Sequence, residues 1–138
     1  MEIKKQWVQE DSDYIRQKLI EYNMNLIDEE TKTPLENISF IMRNDEGEIV
    51  GGVTGQMFWH HLHVDFLWVS KDYRKGGYGA KLLHRAEEYA REKGCRLVML
   101  DTFSFQAPTF YKKMGYKEFG VLKDFPKGQS QHFMEKRL

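Results

Sequence analysis

Between Val69 and Ala80 the chain reads Val-Ser-Lys-Asp-Tyr-Arg-Lys-Gly-Gly-Tyr-Gly-Ala. An apolar strand, Leu62 to Val69, runs into this segment. An amphipathic helix leaves it, with Leu82, Leu83, Ala86, Tyr89 and Ala90 on one face and Lys81, Arg85, Glu88 and Glu92 on the other. Gly94 is placed to end that helix, and Arg96 to Leu100 follows as a compact apolar strand. Strand, helix, strand at this spacing is a βαβ unit whose two strands run parallel. Three glycines at its junction let the backbone approach a ligand closely. The helix N-terminus adds partial positive charge, so the junction suits a phosphate or pyrophosphate. Lys71, Arg74, Lys75, Lys81 and Arg85 surround it with cations against the single Asp72.

Two common phosphate motifs are excluded. No Gly-Lys-Ser/Thr ends the loop, so it is not a Walker loop. Gly77-Tyr78-Gly79 is followed by Leu82 where a dinucleotide fingerprint needs Gly or Ala, and the unit lies mid-chain. Before it come a strand over Glu2 to Val8, a helix capped by Asp11 or Ser12, and a meander of Ile38–Met42, Ile49–Trp59 and Leu62–Val69. After it come a short helix from Ala107 to Met114, with Pro108 in its first turn, and two strands, Tyr116–Leu122 and Gln131–Lys136. These elements give an α/β fold whose mixed sheet is mostly antiparallel. At 138 residues we expect one domain over 1–138.

Arg74-x-x-Gly77-x-Gly79, with Asp65-Phe66-Leu67-Trp68-Val69 before it, resembles the acyl-CoA pyrophosphate loop of the GNAT superfamily of N-acetyltransferases. Ala107-Pro108-Thr109-Phe110-Tyr111-Lys112-Lys113-Met114-Gly115-Tyr116 resembles the same family's later motif. The likeness covers nearly the whole chain in element order. It implies the GNAT fold, with the parallel βαβ unit at the cofactor site and helices flanking the sheet. It also implies acetyl transfer from acetyl-CoA to a primary amine by direct attack in a ternary complex. The alternative is a non-catalytic acyl-CoA-binding sensor or regulatory module.

The resemblance assigns roles residue by residue. A backbone amide near Leu67, Trp68 or Val69 would polarise the thioester carbonyl. Backbone amides of Lys75, Gly76, Gly77, Tyr78, Gly79 and Ala80 would hold the pyrophosphate, with Arg74 beside them. Tyr111 would be the general acid for the departing thiolate. Many family members have Gly at the position of Lys75 and Pro at that of Lys71. Ser104 stands where an Asn often contacts the pantetheine arm.

An alkyl ammonium must lose a proton before it attacks, so a base is expected. His61, His63 and Asp65 alternate along a strand and share a face unless a bulge intervenes. His63, eleven residues before Arg74, and Asp65 are the candidates. The acidic run of Asp28, Glu29, Glu30 and Glu36 would suit a small cationic acceptor or a lysine-like one, and Trp59, Phe103 and Phe105 could line its pocket.

Other classes fare worse. Twenty-one Lys plus Arg balance twenty-one Asp plus Glu, which argues against a nucleic-acid partner. His61-x-His63 offers a metal two ligands where zinc wants three or four, so no metal is expected. Cys95 is the sole cysteine, reads as core and excludes an intrachain disulfide. With no membrane segment in view, the expectation is a cytoplasmic enzyme. Edge strands of such a sheet suggest a homodimer.

Overall fold

The computed structural model describes all residues, Met1–Leu138, and divides into two compact units, Met1–Lys32 and Thr33–Leu138. The first unit is built on α1 (Gln9–Met24). The helix begins two residues before Asp11, at an N-cap of Val8, so neither Asp11 nor Ser12 caps it. Glu2 to Val8 does not form the expected strand. Ile3 and Trp7 share one parity while Val8 falls on the other, so no single apolar face exists for a sheet to bury. Gln6 instead donates to Asp11 at 2.5 Å.

The second unit is a six-stranded sheet in the order β1-β2-β3-β4-β6-β5. Its strands are β1 (Glu36–Arg43), β2 (Ile49–Phe58), β3 (His61–Val69), β4 (Leu97–Phe103), β5 (Lys117–Lys123) and β6 (Ser130–Arg137). Only β3 and β4 are parallel, joined by α2 (Tyr78–Glu92); α3 (Pro108–Lys113) joins β4 to β5. No helix is long and apolar enough to cross a membrane.

Two irregularities shape the middle of the sheet. The parallel ladder lasts three pairs, His61↔Leu97, Leu62↔Val98 and His63↔Met99. Beyond these β3 and β4 part, while β4 stays paired to β6 up to Phe103. The second irregularity is a bulge. Thr54 pairs with Phe66 and Gly55 with Val64, so Asp65 has no partner on β2. Gly55 is required there, because a Cβ on it would lie 2.4 Å from the His63 carbonyl oxygen. The extra residue reverses the alternation of β3. Leu62 and Val64 face the core before it; Leu67 and Val69 face the core after it.

α2 covers that core face with Leu82, Leu83, Ala86 and Ala90, packed over Leu62, Val98, Leu100 and Met134. Gly94, at φ +82°, stops the helix as expected. Among the buried α2 residues is one charge, Glu87, fully buried. It accepts from the Tyr116 hydroxyl at 2.7 Å and from Lys136 Nζ at 3.1 and 3.2 Å. Lys136 also donates to the Met114 carbonyl at 2.9 Å. Burial and the Glu87 carboxylate hold the Tyr116 hydroxyl well above the ordinary tyrosine range. The cluster braces α2, the end of α3 and β6 together. Removing one partner of a buried ion pair leaves the other uncompensated, so Glu87→Gln should cost about 3 kcal/mol. Urea denaturation checks this; an unchanged midpoint would show the brace to be dispensable.

Candidate active site

Where β3 and β4 part, the unit opens into two cavities. The first, about 670 Å³, is lined by Leu67, Trp68 and Val69 of β3, Arg74, Gly77, Gly79 and Ala80 of the loop and α2, and Phe105, Gln106, Ala107, Phe110 and Tyr111. The second, about 330 Å³, lies along Val64 to Trp68 of β3 and Leu100 to Phe103 of β4. Leu67, Trp68, Gln106, Ala107 and Tyr111 border both.

The loop turns tightly into α2. Lys71–Gly76 forms a 3-10 turn, and Gly77 leaves it at φ +72°, in the left-handed region that favours glycine. The first helical bond of α2 runs from Lys81 N–H to the Gly77 carbonyl, 3.2 Å. The amides of Tyr78, Gly79 and Ala80 therefore precede the helical ladder and are available to a ligand. Arg74 Nε donates to the Val69 carbonyl at 2.9 Å, which fixes the guanidinium at the end of β3.

Tyr111 is 7% exposed. Its ring meets Phe110 edge-on at 5.1 Å and Tyr116 at 5.8 Å, so the Glu87 brace reaches it through Tyr116. Burial, and secondarily the negative charge of Asp101, push its hydroxyl from 10.0 up to about 12. It stays protonated at neutral pH, as a proton donor must. The folded value lies above the unfolded one, so the stability that favours the neutral phenol is complete below pH 10 and is lost as pH rises toward 12. Tyr111→Phe should make the unfolding free energy fall less steeply between those limits. An identical alkaline profile would disprove the burial assignment.

The expected residues distribute unevenly. Leu67, Trp68, Val69, Arg74, Gly77, Gly79, Ala80 and Tyr111 border the first cavity; Lys75, Gly76, Tyr78 and Ser104 do not. The Ser104 hydroxyl donates to Gln129 at 2.7 Å and accepts from the Ser130 amide, which ties it to the turn before β6. Gln106, in the turn between β4 and α3, is a polar side chain on the cavity wall. Its Oε1 accepts from the Phe103 amide at 2.8 Å. The sequence offered no signal for it beyond its place two residues on.

Asp65 borders the second cavity and His63 borders neither. The bulge intervenes, so the plain alternation expected of His61, His63 and Asp65 ends at Val64. Phe103 borders the second cavity, Phe105 the first, and Trp59 neither. Glu36 sits in β1, where its carboxylate accepts from the Tyr89 hydroxyl at 2.9 and 3.0 Å; Asp28, Glu29 and Glu30 belong to the N-terminal unit. Cys95 is buried, with its thiol pushed up by desolvation, as befits core. Asp101, on the second cavity, went unnoticed in the sequence because it follows an apolar run that reads as ending at Leu100.

The sheet parts beside the glycine loop, and Tyr111 stands on the wall common to both cavities. Residues 4–116 match the Acetyltransferase (GNAT) family. The chain is 41% identical over 106 residues to blasticidin-S acetyltransferase of Streptomyces morookaense, covering 76% of this chain and 78% of the relative. A crystal structure of an acetyltransferase from Bacillus cereus ATCC 14579 superposes with a TM-score of 0.96 at 54% identity, covering 99% of this chain and 98% of that one. At 20% identity and a TM-score of 0.64, covering 74% of this chain and 73% of that one, the fold is shared with an aminoglycoside 6'-N-acetyltransferase complexed with coenzyme A. The chain belongs to the GNAT family and is an acetyltransferase.

Proposed function

We propose that the protein transfers the acetyl group of acetyl-CoA to a primary amine of a small cationic acceptor, by direct attack in a ternary complex. The observation that carries this reading is the common wall of the two cavities, with Tyr111 in it. Acetyl-CoA occupies the larger cavity. Its pyrophosphate lies on the backbone amides of Lys75 to Ala80 near Arg74, and its thioester carbonyl accepts from a backbone amide among Leu67, Trp68 and Val69. A donor of that kind is worth about 3 kcal/mol to the developing oxyanion. The coenzyme A complex of the structural neighbour supports the choice of donor.

The acceptor enters the smaller cavity as an ammonium ion. Asp65, on that cavity's wall, takes its proton directly or through water. His63, set back from both cavities, would need an intervening water chain. The amine lone pair then forms the new C–N bond, the C–S bond breaks, and the Tyr111 hydroxyl protonates the thiolate. The nitrogen of the new C–N bond then loses its surplus proton, directly or through water, to the Tyr111 phenolate, and Asp65 returns its own proton to solvent, so one proton is released per amide formed.

Blasticidin S is the first acceptor to try, because the 41% identical relative carries its name. The test is release of free thiol from acetyl-CoA in the presence of that compound and a panel of amines. Acceptor-dependent release with an N-acetylated product supports the reading. Tight acetyl-CoA binding with no release from any amine would reject it.

A further inference from the structure

Two aspartates, Asp65 of β3 and Asp101 of β4, line the cavity where these strands part. Asp65 lies two residues past His63 and Asp101 two residues past Met99, the last pair of the parallel ladder. Both border the smaller cavity and both are exposed. Neither takes part in an ion pair. Asp101 receives only the neutral Gln131 amide, at 2.8 Å. No Lys, Arg or His borders this cavity; its remaining walls are apolar and aromatic apart from Thr102, Gln106 and the Tyr111 hydroxyl. The cations of the site lie on the other side, at Arg74 in the larger cavity. Charge is thus separated across Tyr111, positive toward the first cavity and negative toward the second.

One ammonium ion needs one carboxylate. Asp101 is a second carboxylate on that cavity, and no cationic side chain on its walls answers it. Phe66 and Phe103 also line this cavity. We propose that Asp101 is a specificity-determining residue that binds a second cationic group of the acceptor, so that the enzyme selects amines carrying two positive charges a few bonds apart. This rests on the acetyl-transfer reading above and deepens it. Asp65 serves the nitrogen that reacts, and Asp101 holds the one that does not. The same contact feeds back on the general acid. A cation at Asp101 offsets the negative charge that helps hold Tyr111 protonated, and makes it a readier donor once the acceptor is seated.

The test compares 1,4-diaminobutane with butylamine, which share a carbon chain and differ by one charge. Thiol release gives kcat and KM for each amine in the wild type, Asp101→Asn and Asp101→Glu. Calorimetry with acetyl-CoA reports on the first cavity in every variant. Wild type should favour the diamine by about tenfold or more in kcat/KM, the scale of one charge-assisted hydrogen bond. Asp101→Asn should bring that ratio close to one, mainly through a higher KM for the diamine, and Asp101→Glu should restore part of it. A merely structural role would weaken both amines alike and disturb acetyl-CoA binding. Equal use of the two amines by wild type, or a ratio unmoved in Asp101→Asn, overturns the inference and leaves acetyl transfer standing. Silence with every amine while acetyl-CoA binds overturns the reading beneath it.

Discussion

Tyr111→Phe should lower kcat by about two to three orders of magnitude, the usual worth of a placed general acid. Acetyl-CoA affinity should change only severalfold. The ring is the greater part of the contact with Phe110 and Tyr116, and phenylalanine keeps it. What is lost is one hydroxyl on the wall common to both cavities. A coenzyme A thiolate is a fair leaving group, so the deficit should shrink with donors whose thiolates are less basic. Rapid-quench or thiol-release kinetics with two donors of different leaving-group acidity would read this. An equal deficit with both, or no deficit, would remove Tyr111 from the acid role and leave it as packing between α3 and the sheet.

Gly77→Trp should abolish measurable acetyl-CoA binding, a loss of more than about a hundredfold. Two effects combine. Gly77 sits at φ +72°, where an L-residue costs about 1–2 kcal/mol. A Cβ there meets nothing within 4 Å, so a side chain finds open space, and that space is on the cavity wall just before the free amides of α2. Gly77→Ala separates the two effects. It carries the backbone cost without the bulk and should lose only about tenfold. Calorimetric titration of both variants is sufficient. Wild-type affinity in Gly77→Trp would mean that the diphosphate lies elsewhere and that the glycine serves only the turn.

The sequence made the local elements readable and the non-local ones obscure. The 3.6-residue period of α2 marked Leu82, Leu83, Ala86 and Ala90, and all four are buried. The Gly94 stop, the parallel pairing of β3 with β4 and the hairpin of β5 with β6 follow from short-range signals. Glu87 did not show itself. It lies on the apolar stripe four residues after Leu83, and only the arrival of Tyr116 and Lys136 from distant segments makes a charge tolerable there. The bulge at Asp65 depends on Gly55 across the ladder, a cross-strand fact that one strand's alternation cannot carry. The parting of β3 from β4 depends likewise on where pairing stops, and with it went the significance of Asp101. Glu2 to Val8 failed for the opposite reason: a weak local pattern read as a strand divides its apolar residues, Ile3 and Trp7 against Val8, and no strand forms.

The two unpaired carboxylates bear on how a turnover ends as well as on how it begins. Acetylation converts a cation into an amide. On the acceptor reading proposed above, the product would face Asp65 and Asp101 with one charge fewer than the substrate. Under that reading the reaction erases part of the attraction that brings its own substrate in. Spent acceptor should be a poor competitor for fresh acceptor, and the enzyme can work on through accumulating product.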